Sequence, residues 1–203
     1  MYTINRQEYT FTYEVNKSTF ISFLKYIENT TEAKQYINLL KEKYPDATHH
    51  VSAFIVGSSG QNGGTNDDGE PSGTAGAPIF EVLRKNNLTN IICVVVRYFG
   101  GIKLGAGGLV RAYSKAASEV VKIAKLEPII IYTILKLSFS YPYLNQIEKI
   151  IKDFQIIERS FTSNITITIK VPVEKVTMLS SLLNSLTYGN IIVSEIANNP
   201  LDN

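Results

Sequence analysis

The sequence predicts an α+β protein of two domains, residues 1–127 and 128–203, each a two-layer α/β sandwich and the second a ferredoxin-like βαββαβ unit. Three observations carry this reading. A length of 203 residues suits one large domain or two small ones. Glu127-Pro128 has the look of a linker between two differently patterned halves. Beyond it the order is strand 129–140, helix 143–154, strand 155–162, strand 164–171, helix 174–187 and strand 190–197. Pro142 and Pro172 stand just before the two helices, where a proline costs little. Asn164 can supply the hairpin turn. That order is the split-βαβ arrangement.

Residues 7–15 and 18–27 alternate as the strands of a hairpin, with Asn16-Lys17 at its turn. A helix follows, capped by Asn29 or Thr30, with Ala33, Tyr36, Ile37 and Leu40 as its apolar stripe. Pro45-Asp46 ends it, and 51–56 is a strand rich in β-branched and aromatic residues. A polar loop spans 57–73, long enough to be functional or mobile. A helix covers 74–86, with Pro78 acceptable only in its first turn. The near-continuous apolar run 91–99 reads as a strand covered on both faces. Glycine-rich 100–108 then leads into an amphipathic helix whose stripe is Leu109, Ala112, Tyr113, Ala116, Val120 and Ile123.

Composition narrows the function classes. A single cysteine, Cys93, excludes a disulfide framework and points to a reducing, cytoplasmic setting. The first residues hold no apolar h-region, and the longest apolar runs fall far short of a bilayer span, so no membrane association is expected. A net charge of +2 conceals an uneven distribution. No basic residue lies between Lys43 and Arg84, whereas Arg97, Lys103, Arg111, Lys115, Lys122 and Lys125 face only Glu119. Such clustering steers a polyanion, although Lys115, Lys122 and Lys125 read more simply as the solvated face of a helix.

Two segments have the composition of a binding surface. In Arg97-Tyr-Phe-Gly-Gly-Ile-Lys-Leu-Gly-Ala-Gly-Gly-Leu-Val-Arg111, the residues Gly100, Gly101, Gly105, Gly107 and Gly108 permit close backbone approach. A helix N-terminus beyond them offers free N–H groups to an anion, and Arg97, Lys103 and Arg111 add charge-assisted contacts to phosphate. The alternative is tight packing of a helix on a strand, and the residues alone leave both open. The other segment, Asp67-Asp-Gly-Glu-Pro-Ser-Gly-Thr-Ala-Gly76, also runs into a helix start. Asp67, Asp68 and Glu70 read as solvated loop acids before they read as Mg²⁺ ligands, and Ser72 and Thr74 as helix-capping hydroxyls. His49 and His50 point to opposite faces of a strand with no third ligand, so no metal site is expected. Cys93 reads as inert core. No nucleophile–base or paired-carboxylate arrangement is visible, so neither catalytic residue nor cofactor is assigned.

These segments together resemble the signature of the IMPACT family and its bacterial YigZ-like members. The match comprises His49-His50, the run from Asp67 to Gly76, Val96-Arg-Tyr-Phe-Gly-Gly, and Leu104-Gly-Ala-Gly-Gly-Leu-Val-Arg-Ala-Tyr113. Lys17-Ser18 and Phe20 also fit, but Thr19 stands where the family usually has a basic residue. The resemblance implies a first domain similar to ribosomal protein S5 domain 2 and a second similar to domain V of elongation factor G. It further implies a role near translation: eukaryotic members restrain the amino-acid-starvation kinase by competing for its ribosome-associated activator. The expected function is therefore a non-enzymatic RNA- or ribosome-binding modulator of translation that contacts phosphate through the basic glycine-rich turn. Two alternatives are a nucleotide- or phosphate-binding enzyme on an S5-like fold and a protein-interaction module with a partner in translational stress control.

Overall fold

A computed structural model describes residues 1–196 of the chain, as two compact units that divide between Ile129 and Ile130. The expected end of the last strand at Ala197 lies outside the described residues. The mixed α/β class and the order of elements agree with the expectation: five α-helices and three antiparallel sheets among the described residues.

The first unit is built on a five-stranded sheet in the order β2-β3-β6-β4-β5, with β2 at Tyr9–Val15, β3 at Ser18–Tyr26, β4 at His49–Val56, β5 at Asn62–Asn66 and β6 at Ile91–Tyr98. The β2–β3 hairpin closes through Asn16 and Lys17, at φ 48° and 60°. Two consecutive positive φ values match the twist that a tight hairpin needs. Central β6 divides its side chains by parity. Ile91, Cys93 and Val95 enter one core with helices α2 (Gly76–Lys85) and α3 (Gly105–Ile123), and Ile92, Val94 and Val96 enter another with α1 (Thr30–Lys43). Helix α1 thus adds a layer to the two expected, and the double cover explains an apolar run without alternation. Asn29 caps α1 by accepting from the Glu32 N–H, and the Glu32 carboxylate returns to the Glu28 N–H at 3.0 Å.

Two expectations are corrected here. Glu127-Pro128 is not a free linker: Leu126–Pro128 forms β7, antiparallel to β1 at Tyr2–Ile4. The long polar loop contains β5, paired to β4 from Ser52↔Asn66 to Val56↔Asn62. Asn-Gly-Gly-Thr-Asn carries no apolar alternation, so nothing local announces a strand. Its glycines matter because rings lie on them. A Cβ at Gly63 would meet Phe80 at 2.8 Å, and one at Gly64 would meet Phe54 at 2.8 Å.

Cys93 is fully buried, and burial pushes its thiol up to about 12. A thiol-reactive disulfide reagent at pH 8 is expected to leave the native protein unmodified and to label one thiol per chain in denaturant. Labelling of the native protein at the rate of a free thiol would contradict the burial.

The second unit is a four-stranded antiparallel sheet in the order β11-β8-β10-β9, with β8 at Tyr132–Phe139, β9 at Gln155–Phe161, β10 at Ile165–Pro172 and β11 at Ile192–Ile196. Helices α4 (Leu144–Ile151) and α5 (Val176–Leu186) pack on the face made by Leu135, Leu137, Phe139, Ile165, Ile167, Ile169 and Val171. This is the ferredoxin-like arrangement, the first and third strands central. A register shift between Thr168 and Ile169 marks a bulge against β9. No helix among the described residues is long and apolar enough to cross a membrane.

Candidate anion-binding site

The acidic loop is structural in a way that its composition does not announce. Asp67 accepts from three backbone N–H groups at the start of α2: Gly73 at 2.8 Å, Ala75 at 3.2 Å and Gly76 at 2.8 Å. It therefore supplies the cap expected of Ser72 and Thr74. Ser72 is exposed, and the Thr74 hydroxyl donates to the Pro71 carbonyl at 2.6 Å. Asp68 accepts from the His50 N–H at 2.6 Å and from Lys41 at 2.8 Å. Neither carboxylate is the merely solvated acid that the sequence suggests.

The two histidines do diverge, yet both return to this loop. The His49 Nδ1–H donates to the Asp68 carbonyl at 2.8 Å, leaving Nε2 3.8 Å from the Glu70 carboxylate. The His50 Nε2–H donates to the Tyr44 carbonyl at 3.1 Å, with Nδ1 3.8 Å from Asp68. In both rings the tautomer follows from the carbonyl, which can only accept.

Burial opposes ionisation of Asp67, but the three N–H groups outweigh it and hold the carboxyl below its ordinary value. For Asp68, burial is outweighed in the same way by Lys41 and the His50 N–H. A depressed folded pKa contributes stability above the unfolded value near 3.9, and that contribution is lost as pH falls through the folded values. Urea midpoints should accordingly hold from pH 6 to about 4 and fall below it. Asp67→Ala should cost about 1–2 kcal/mol at pH 7 and flatten that acid limb. An unchanged limb in the variant would assign the loss to other carboxylates.

Arg97 departs from the expectation. Its side chain is buried, 4% exposed, rather than turned out toward phosphate. Its guanidinium donates to Glu70 and, at 3.5 Å, to the Ser18 hydroxyl oxygen, with Phe20 and Phe99 rings at 5.2 and 5.6 Å. The Tyr113 hydroxyl donates to the same Glu70 oxygen at 2.6 Å. Burial and the Glu70 charge push that hydroxyl well above its ordinary pKa. A basic residue beside glycines reads the same from sequence whether it points in or out. Its partner lies 27 positions away, so only the tertiary structure reveals the pair.

The glycine-rich turn itself is exposed. Gly100 lies against the hairpin turn: a Cβ there would sit 2.0 Å from the Lys17 carbonyl oxygen, and its N–H donates to the Ser18 hydroxyl at 3.2 Å. Gly101 and Gly105 are in the left-handed region, at φ +82° and +67°. Helix α3 begins without a side-chain cap and with no acidic residue in its first turn, where Gly105, Ala106 and Gly107 are exposed. Lys103 and Arg111 are exposed and have no carboxylate partner among the described residues. Arg111 lies along that turn, its guanidinium 3.6 Å from where a Cβ on Gly107 would stand. Between this helix and the hairpin runs a cleft of about 420 Å³, lined by Tyr13, Val15, Asn16, Leu104, Gly108, Arg111, Ala112 and Lys115. Sequence reasoning singled out Arg111 and Gly108 but missed Tyr13 and Asn16. The available signal was the alternation of Tyr9, Phe11, Tyr13 and Val15 toward one face of β2.

The fold and the two motifs define a class: a two-unit α+β protein with a glycine-rich strand-to-helix turn braced by a hairpin. Comparison with known proteins agrees. The Impact N-terminal domain matches residues 16–121. The IMPACT family member YvyE of Bacillus subtilis is 37% identical over 183 residues, covering 89% of this chain and 84% of that protein. The IMPACT family member YigZ of Escherichia coli is 34% identical over 185 residues, covering 88% and 89%. A solved structure titled a crystal structure of a hypothetical protein covers 98% of both chains at a TM-score of 0.63 and 30% identity. The chain belongs to the IMPACT family.

Proposed function

We propose that this chain is a non-enzymatic RNA- or ribosome-binding protein of the cytoplasm that modulates translation, contacting phosphate through the first turn of α3. The observation that carries the reading is the exposed, uncapped turn at Gly105–Gly107 with Lys103 and Arg111 beside it and no carboxylate among the described residues to neutralise them. Free N–H groups at the positive end of a 19-residue helix favour an anion, and two unpaired cations add to it. Membership of the IMPACT family fits a translation-related regulator, and the similarity of the second half to domain V of elongation factor G that the family resemblance implies supports the same partner. Arg97 leaves the contact surface, because its charge is matched internally by Glu70. Asp67 and Asp68, the acids weighed as Mg²⁺ ligands, are engaged by backbone N–H groups and Lys41 and so lend the enzyme alternative no support.

The test is co-sedimentation with ribosomes across a salt series, with and without nuclease. Association should fall steeply with salt. In Arg111→Glu, and separately in Lys103→Glu, it should weaken about tenfold or more, with a salt slope shallower by about one. Association unchanged in both variants would overturn this site. Nuclease-resistant capture of a single stoichiometric protein would instead favour a protein partner.

A further inference from the structure

We infer that the cleft between the β2–β3 hairpin and α3 takes one unstacked nucleoside phosphate unit, base against Tyr13 and phosphate against Arg111. This rests on the RNA reading above and deepens it from backbone attraction to recognition of an unpaired nucleotide. The cleft, about 420 Å³, lies within the range of small-ligand sites and suits one nucleotide. Its walls are of two kinds. Tyr13, Val15, Leu104 and Ala112 supply apolar surface, and Asn16, Arg111 and Lys115 supply polar groups.

Tyr13 is half-buried and braced from behind by Phe20, with ring centroids 6.3 Å apart. Neither the Tyr13 hydroxyl nor the Asn16 amide makes a side-chain hydrogen bond among the described residues, although Arg111 and Lys115 line the same cleft. Such an aromatic wall with free hydrogen-bonding groups is what an unstacked base requires. Phosphate has its own end, where the Arg111 guanidinium lies along the uncapped first turn at Gly107.

Nearby charges of the wrong sign are turned from the cleft or matched by a cation. Glu14 alternates to the opposite face of β2, and Glu119 is engaged by Lys115 and Lys122, each at 2.7 Å. In a duplex the bases are stacked and paired, so a duplex can offer this surface its phosphates but no base.

The experiment is fluorescence anisotropy with a labelled single-stranded RNA octamer and the same octamer in a duplex, competed by AMP, UMP and inorganic phosphate. The single strand should bind about tenfold or more tightly than the duplex. Tyr13→Ala should remove about tenfold of single-strand affinity and leave duplex affinity unchanged, while Tyr13→Phe retains binding. Asn16→Asp, which keeps a residue tolerant of positive φ, should also weaken the single strand.

Competition by AMP or UMP as strong as by the octamer would assign the cleft to a free nucleotide, and weaker competition to a strand. Equal affinity for strand and duplex, unchanged single-strand affinity in both Tyr13→Ala and Asn16→Asp, or phosphate competing as well as a mononucleotide would overturn the inference. Arg111→Glu separates the two readings. If it weakens single strand and duplex alike while Tyr13→Ala does nothing, the RNA surface stands and the nucleotide cleft falls. Direct binding of a fluorescently labelled AMP that is lost in Tyr13→Ala, with no RNA bound at all, would keep the cleft and sink the RNA surface.

Discussion

Glu70→Ala is expected to destabilise the first unit by about 3–5 kcal/mol. The glutamate and its partner Arg97 are 8% and 4% exposed, and Tyr113 donates to the same carboxylate oxygen. Removing the carboxylate leaves a guanidinium with no counter-charge in an apolar setting between two aromatic rings. The thermal midpoint should fall by about 6 °C or more, at roughly 2–8 °C per kcal/mol for units of this size. The pair itself need not stabilise relative to an apolar replacement. Glu70→Leu combined with Arg97→Met should therefore recover much of the loss, a non-additivity that a double-mutant cycle measures. Single losses that merely add would mean that the two groups do not act as a pair. Charge reversal at Arg97 is for the same reason a poor probe of ligand binding, because it would report on folding.

Gly100→Ala should be nearly as damaging by a purely steric route. The added methyl would lie 2.0 Å from the Lys17 carbonyl oxygen and 2.1 Å from its carbon, so the backbone of the hairpin turn has to move. Inserting a methyl into so tight a contact costs about 1–3 kcal/mol, and here the obstacle is backbone rather than a side chain that could turn away. Displacement of the turn would also disturb Asn16 and the cleft beside it. Hydrogen-exchange protection at β2 and β3 should drop, and the thermal midpoint should fall by several degrees. Gly101→Ala is the internal comparison. Gly101 has φ +82° and nothing within 4 Å of an added Cβ, so only the conformational penalty applies, about 1 kcal/mol. Equal losses in the two variants would show that the hairpin turn gives way and that the contact does not limit Gly100.

Several features were legible from residue order because their causes are local. The period-2 stripe of β2, the 3.6-residue stripes of α1 and, as far as Val120, of α3 (Ile123, expected in it, is exposed), and the strand–helix alternation of the second unit are written in which face each residue occupies. Asn16-Lys17 was readable as a turn because a hairpin needs two residues at positive φ and asparagine adopts it readily. The family, too, was legible, since the runs from Asp67 to Gly76 and from Val96 to Tyr113 are long and ordered.

What remained was decided by partners distant in the chain. β5 exists because an edge of β4 was available and because glycines let the Phe54 and Phe80 rings lie on it. β7 exists because β1 returns to meet it. Arg97 faces inward because Glu70, Tyr113 and Ser18 converge on it from a loop, a helix and a strand, offering the guanidinium partners that water would otherwise supply. Residue order by itself determined the helices, the strands that carry an apolar stripe, the order in which they follow one another, and the family. The tertiary structure decided which of the basic residues around the glycine turn remain free to meet a ligand, because a charge is spent or free according to what lies within hydrogen-bonding distance of it, and that distance is set by the fold.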